Sequence, residues 1–192
     1  MKAKLIIMTL CILATEAVCA QSFTVNKKFH GSYPAAANSE VSIDNKYGNV
    51  SIIPSDGDSV VFDVVIEVTD KYIVEAEEQL AEINVRMGAS GYYIYSATEF
   101  NGNRNDFKTD WKMMTGAVFS SKKTVRIDYV VQVPTGVSLK INNSYGNLIM
   151  PDHSGILNID LTGGNLTAGV LSGKTTITLN GGKSQIRALT DA

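Results

Sequence analysis

The sequence predicts an all-β fold. The expected form is a short parallel β-solenoid, single-stranded and β-helix-like with 18-residue coils, carrying an inserted α-helix plus β-hairpin. Three observations carry this. Residues 139–192 superimpose on themselves when shifted by 18: Leu139, Leu157 and Thr175 coincide, as do Ile141, Ile159 and Ile177, and Met150, Ala168 and Ile186. A fixed period of this size marks units that bury their apolar faces only by stacking on one another. Within a unit, Leu157, Ile159 and Leu161 alternate with Asn158, Asp160 and Thr162, the period of a strand with one buried face. Gly146, Gly164 and Gly182 fall in phase, and Asn147 and Asn165 follow the first two, so a corner recurs once per unit. Stacked coils sit roughly 4.8 Å apart. They then place an isoleucine ladder inside and an amide ladder of Asn147 and Asn165 at the corner. Antiparallel hairpins compete with this arrangement, because Gly163-Gly164 and Gly181-Gly182 also suit hairpin turns.

The chain of 192 residues opens with what reads as a signal peptide, residues 1–20. Lys2 and Lys4 form a basic start, and residues 5–14 are an apolar run too short to span a bilayer. Val18 and Ala20 are the small residues a signal peptidase reads. Lipidation at Cys19 is the competing reading, and Glu16-Ala17-Val18 is a poor approach to it. Cys11 and Cys19 both lie in this leader, so the mature chain has no thiol for a disulfide, a metal or nucleophilic attack. Residues 21–192 read as one β-rich domain, with a helix–hairpin insert at 69–135 and the repeats at 136–192.

Phe23, Val25 and Phe29 alternate with polar residues over 22–29, a first strand, and Pro34 marks the connection after it. Val41, Ile43 and Asn45 alternate with Ser42 and Asp44. The turn Tyr47-Gly48-Asn49 follows, and the strand resumes over 50–53 until Pro54. The β-branched run 60–68 reads as a strand buried on nearly both faces. The stretch 43–50 matches 141–148 word for word in pattern, so a first coil precedes the insert, and run 60–64 aligns with run 156–161. Ile73, Ala76, Leu80 and Ile83 recur at helical spacing with glutamates opposite, and Asp70 stands where a cap belongs. Strands at 92–98 and 124–133 then suggest a hairpin with the helix packed on one side. Between them, residues 99–123 form a long polar loop holding Trp111, Met113, Met114 and Phe119, a candidate contact patch. The plain alternative is that Trp111 folds back onto the hairpin.

Formal net charge is −2 for the chain. Loss of two lysines and one glutamate with the leader brings it to −3. That mild acidity argues against nucleic acid as a partner. No second segment approaches the length of a membrane span.

The chemistry-bearing residues do not assemble into a motif. His153 shares its phase with Leu171 and Leu189, which suits a rim or core residue better than a ligand, and His30 has no evident partner. Asp56, Asp58 and Asp63 lack the ligand series of a calcium loop. Asp152 and Asp160 would serve as the carboxylate pair of a polysaccharide-acting enzyme. Their phases differ, however, and later coils put Val170 and Thr178 there. The Gly-Gly pairs precede no helix and no Lys-Ser/Thr, so they are not phosphate loops. The sequence thus assigns no catalytic, cofactor-binding or metal residue. It assigns structural turn and ladder roles to Tyr47, Gly48, Asn49, Tyr145, Gly146, Asn147, Gly164, Asn165 and Gly182.

The words Val41-Ser42-Ile43-Asp44-Asn45-Lys46-Tyr47-Gly48-Asn49-Val50 and Asn142-Asn143-Ser144-Tyr145-Gly146-Asn147-Leu148, and the phrase Ile127-Asp128-Tyr129-Val130-Val131-Gln132-Val133-Pro134 before the repeats, resemble the "putative adhesin" family of bacterial secreted proteins. The resemblance covers nearly the whole mature chain and implies a β-solenoid-like fold, a cell-envelope or surface setting, and no catalytic residues. Family members run on for further coils, whereas this sequence stops at Ala192, implying a short version or an open end. The expected function is non-enzymatic: an exported binding or structural module, in the periplasm, on the outer membrane or outside the cell. A protein or glycan would be its partner, and self-association would use the C-terminal edge. An enzyme acting on polysaccharide and an envelope-stress accessory protein are the alternatives.

Overall fold

The computed structural model describes residues 22–100 and 124–190. The leader, with Cys19, and the candidate contact residues Trp111, Met113, Met114 and Phe119 lie outside them. In order, the elements are β1 (Phe23–Pro34), β2 (Glu40–Lys46), β3 (Val50–Ser55), β4 (Ser59–Asp70), α1 (Ile73–Ala81), β5 (Ile83–Ser90), β6 (Tyr93–Phe100) and β7 (Thr124–Pro134). The C-terminal third adds β8 (Ser138–Ser144), β9 (Leu148–Met150), β10 (Leu157–Thr162), β11 (Leu166–Leu171), β12 (Thr175–Asn180) and β13 (Ser184–Leu189). One sheet runs β1-β4-β7-β3-β9-β11-β13 and the other β12-β10-β8-β2-β6-β5. They share a single apolar core.

The repeats pair in parallel, each residue beside its counterpart one unit away. Leu139, Leu157 and Thr175 are neighbours, as are Ile141, Ile159 and Ile177. In the other sheet Met150, Ala168 and Ile186 are neighbours. The early copy joins the same stack: β2 pairs with β8, so Ile43 lies beside Ile141, and β3 pairs with β9. Each unit therefore gives one strand to each sheet. Its inward phases are apolar because they face the common core, and its outward phases are polar because they face water.

Both sheets are nevertheless mixed, which corrects the expectation of a purely parallel coil. β4 pairs antiparallel with both β1 and β7. The run at 60–64 is thus not the equivalent of 156–161, since β4 and β10 belong to different sheets. The reason is the turn at 55–58. Ser55 Oγ accepts from the Gly57 N–H at 3.1 Å, the chain doubles back, and the even residues Val60 to Val68 all enter the core.

The hairpin also differs from the expected one. β6 pairs antiparallel with β5, not with β7. Ile83 and Val85 are buried and Asn84 and Arg86 exposed, a strand period that begins at Ile83, the last residue of the helical spacing. Only Gly91 and Tyr92 separate these strands, so the local partner prevails over one that lies past residue 123. Asp70 does not cap α1: Tyr72 holds the cap position with no side-chain bond, while the Asp70 carboxylate accepts from the Tyr72 N–H at 3.3 Å. The helix packs on β1, β4 and β5 through Ala76 and Leu80, covering that end of the core.

Candidate interaction surface

The corner between the two sheets is built from glycine and amides. Gly48, Gly146, Gly164 and Gly182 stack in register, and a Cβ on any of the last three would strike the carbonyl of the glycine one coil before. On Gly48 it would strike the Ile127 carbonyl. Only glycine permits that backbone approach. The next residue of each coil forms a second ladder. Asn49 Oδ1 accepts from the Asn147 backbone and side-chain N–H groups at 3.1 and 3.2 Å. Asn147 Oδ1 does the same for Asn165 at 3.0 and 3.1 Å, and Asn165 Oδ1 accepts from the Lys183 N–H at 3.0 Å.

The residue before each glycine is left-handed. Tyr47 has φ 64° and Tyr145 φ 61°, and Gly163 and Gly181 take the same position later. A tyrosine there is strained, and stacking offsets the strain. The two rings lie 5.8 Å apart and nearly parallel, Phe100 meets Tyr47 edge-on at 5.8 Å, and the Tyr145 ring rests over Gly163. The corner is therefore saturated by its own contacts.

Two functional-looking features were not evident in the sequence. Asn45 and Asn143 are buried amides that lie side by side on β2 and β8. Asn45 Nδ2 donates toward the carbonyls of Gly48 and Ile127 and to Asn143 Oδ1 at 3.0–3.2 Å. The available signal was that Leu161 and Leu179 occupy this phase in the later coils. Tyr129, also buried, shares a 2.9 Å hydrogen bond with Thr98, and burial pushes its hydroxyl up to about 12.

The acidic and histidine candidates are dispersed. Asp63 lies mid-strand on β4, 2.8 Å from His30 on β1, while Asp58 stays in the turn, bonded to Ser59 at 3.1 Å. Asp152 follows β9 and accepts from the Val170 N–H at 2.8 Å, with Arg187 at 3.5 Å. Asp160 stands exposed on β10, in the other sheet, so the two carboxylates do not face one groove. Among the described residues no group of three or more potential metal ligands comes together, and no helix is long and apolar enough to cross a membrane.

The open feature is the last coil. β12 and β13 are the outermost strands of their sheets at the same end of the stack. One rung inward Ile159, Leu161 and Ala168 are buried, whereas Ile177, Leu179 and Ile186 are only partly covered. Leu171 is 1 % exposed and its neighbour Leu189 63 %. Edge strands are normally blunted by charge, proline or a bulge. β12, Thr-Thr-Ile-Thr-Leu-Asn, has no charge and no proline.

No family model matches the chain, and no curated protein matches it. Solved structures do. A "putative cell adhesion protein" from Clostridium sporogenes is 8 % identical over 87 % of this chain and 99 % of its own, with TM-score 0.41. A "putative lipid binding protein" from Parabacteroides distasonis is 10 % identical over 86 % of this chain and 62 % of its own, with TM-score 0.33. A "putative adhesin" from Bacteroides fragilis is 10 % identical over 86 % and 96 %, with TM-score 0.25. Superposition this loose says nothing of what the chain binds.

Proposed function

We propose that the chain is an exported, non-enzymatic binding module of the cell envelope or surface, an adhesin-like short β-solenoid that works by strand addition at its last coil. The observation that carries this is the edge of β12 and β13, uncharged along β12 and uncovered among the described residues, above a core that is closed one rung below. Strand addition satisfies unpaired backbone groups and buries the half-covered side chains in one step.

The occupant is a second copy of the chain, edge to edge. An identical coil brings Ile177, Leu179 and Ile186 to meet their equivalents, and the uncharged β12 raises no repulsion across a two-fold axis. On β13 the one charged residue, Arg187, is drawn back to Asp152. Light scattering of the mature protein at high micromolar concentration is expected to show a concentration-dependent dimer. Thr178→Lys, on the outward face of β12, is expected to restore the monomer without altering the fold. A strictly monomeric wild-type protein sinks the reading.

A further inference from the structure

The second sheet carries an aromatic pair on its outward face. On β6, Tyr93 and Tyr95 share that side, because Ile94 and Ser96 alternate with them and enter the core. Their rings are nearly parallel, with planes 24° apart and centroids 5.9 Å apart. Tyr95 stands opposite Gly88 of β5, and its hydroxyl comes within 2.7 Å of where a Cβ on Gly88 would stand. The ring thus leans across the sheet into the space that the glycine leaves. The Arg86 guanidinium meets this ring at 5.4 Å and is itself held by Glu99 at 2.8 Å. An aromatic side chain covering a strand glycine accounts for Tyr95. It does not account for Tyr93, which is 43 % exposed and extends the apolar surface away from the core.

Beside the pair the same face turns polar, in register. From Tyr95 a row across the strands runs through Ser42, Lys140 and Asn158, one residue each from β2, β8 and β10. The neighbouring row runs through Asp44, Asn142 and Asp160. All six are exposed or partly exposed. Strands lie about 4.8 Å apart, so a linear molecule lying across them meets a new hydroxyl, amide or charged group at each step. The core of a protein interface is apolar and poor in charge, whereas here the apolar part is confined to two rings and the rest forms hydrogen bonds. A pyranose chain fits that division: each sugar has faces lined by C–H groups and a rim of hydroxyls that donate and accept. Two carboxylates stand against one lysine in these rows, and Glu40 lies beside Tyr93, so the face disfavours an anionic chain.

We propose that this face binds a linear, neutral oligosaccharide, one sugar stacked on the Tyr93–Tyr95 pair and the following sugars hydrogen-bonded across β2, β8 and β10. The rings hold one end by burying apolar area, and the polar rows set the direction of the chain. None of these residues comes from β12 or β13, and β12 is separated from β6 by three strands, so this site and the self-pairing edge stand or fall separately.

The probe is cellohexaose, a neutral linear glucose hexamer, titrated into the ¹⁵N-labelled mature protein, with cellobiose and hexagalacturonate as comparators. Amides of β6, β2 and β8 are expected to shift saturably. Cellobiose, too short to reach from the rings to β10, should bind about tenfold more weakly, and hexagalacturonate at least about tenfold more weakly because of its charge. Tyr93→Ala should weaken cellohexaose about tenfold while circular dichroism shows the fold intact, and Tyr93→Phe, which keeps the ring, should bind like the wild type. Asn158→Ala, at an exposed position, should weaken it about fivefold, the equivalent of one hydrogen bond. No saturable shift, hexagalacturonate bound as tightly as cellohexaose, or undiminished binding by folded Tyr93→Ala or folded Asn158→Ala overturns the proposal.

Discussion

Asn45 and Asn143 occupy an inward phase that leucine fills in the next two coils. Their amides satisfy carbonyls left at the junction with β7. Gly48 accepts from both, Ile127 accepts from Asn45, and Asn147 accepts from Asn143 at 3.4 Å. Asn45→Leu strands the Ile127 carbonyl and Asn143 Oδ1, and should cost about 2–4 kcal/mol by urea unfolding. Asn143→Leu, where the neighbouring coil already carries Leu161, should cost less. His153 gives a pH signature. Burial lowers its folded-state pKa below the ordinary value near 6.5, so as pH falls past that value the unfolded chain takes up the proton first. Stability should therefore be level above neutrality and fall with acid, until the folded imidazole itself protonates. His153→Phe should remove that slope in melts recorded from pH 7.5 to 5.

At the element scale the corner is the demanding part of each coil. Gly146, Gly164 and Gly182 each admit the carbonyl of the preceding coil, while Gly163 and Gly181 are glycines for their φ. These demands differ in size. Gly146→Ala forces two backbones apart and should cost more than about 3 kcal/mol or prevent folding. Gly181→Ala meets no neighbouring atom closer than 4.0 Å and should cost only about 1 kcal/mol from its left-handed backbone. Paired thermal melts of the two variants check the ordering.

For the whole molecule, the two ends of the sandwich are unlike. Helix α1 covers the core beside β1, β4 and β5, whereas no other described element covers β12 and β13 at the opposite end. Stacked units unfold from an end that has one neighbour instead of two. Native-state hydrogen exchange should show amides of β12 and β13 exchanging at least roughly tenfold faster than those of β8 and β10, with β4 and β7 slowest. Dimerisation through the open coil should narrow that difference as protein concentration rises.

The repeats were legible because an 18-residue offset places like residues side by side, and strand alternation assigns each phase to core or water. Ile141, Ile159 and Ile177 could be matched from sequence alone, and so could the glycine corner. Local alternation by itself determined the all-β class. It carries no information about which strand is the partner. Whether the run from Val60 to Val68 continues a coil or folds back on β1 and β7 depends on the non-local burial of Phe62, Val64 and Ile66 against residues far along the chain. The same limit hid the interior roles of Asn45 and Asn143, whose donors find carbonyls up to 95 positions away. It also hid the hollow lined by Pro54, Pro134 and Pro151, which lie far apart in the chain and come together only in the fold. Periodicity is a property of neighbours in the chain, whereas strand pairing, amide satisfaction and empty space are properties of neighbours across it, and only the tertiary structure decides those.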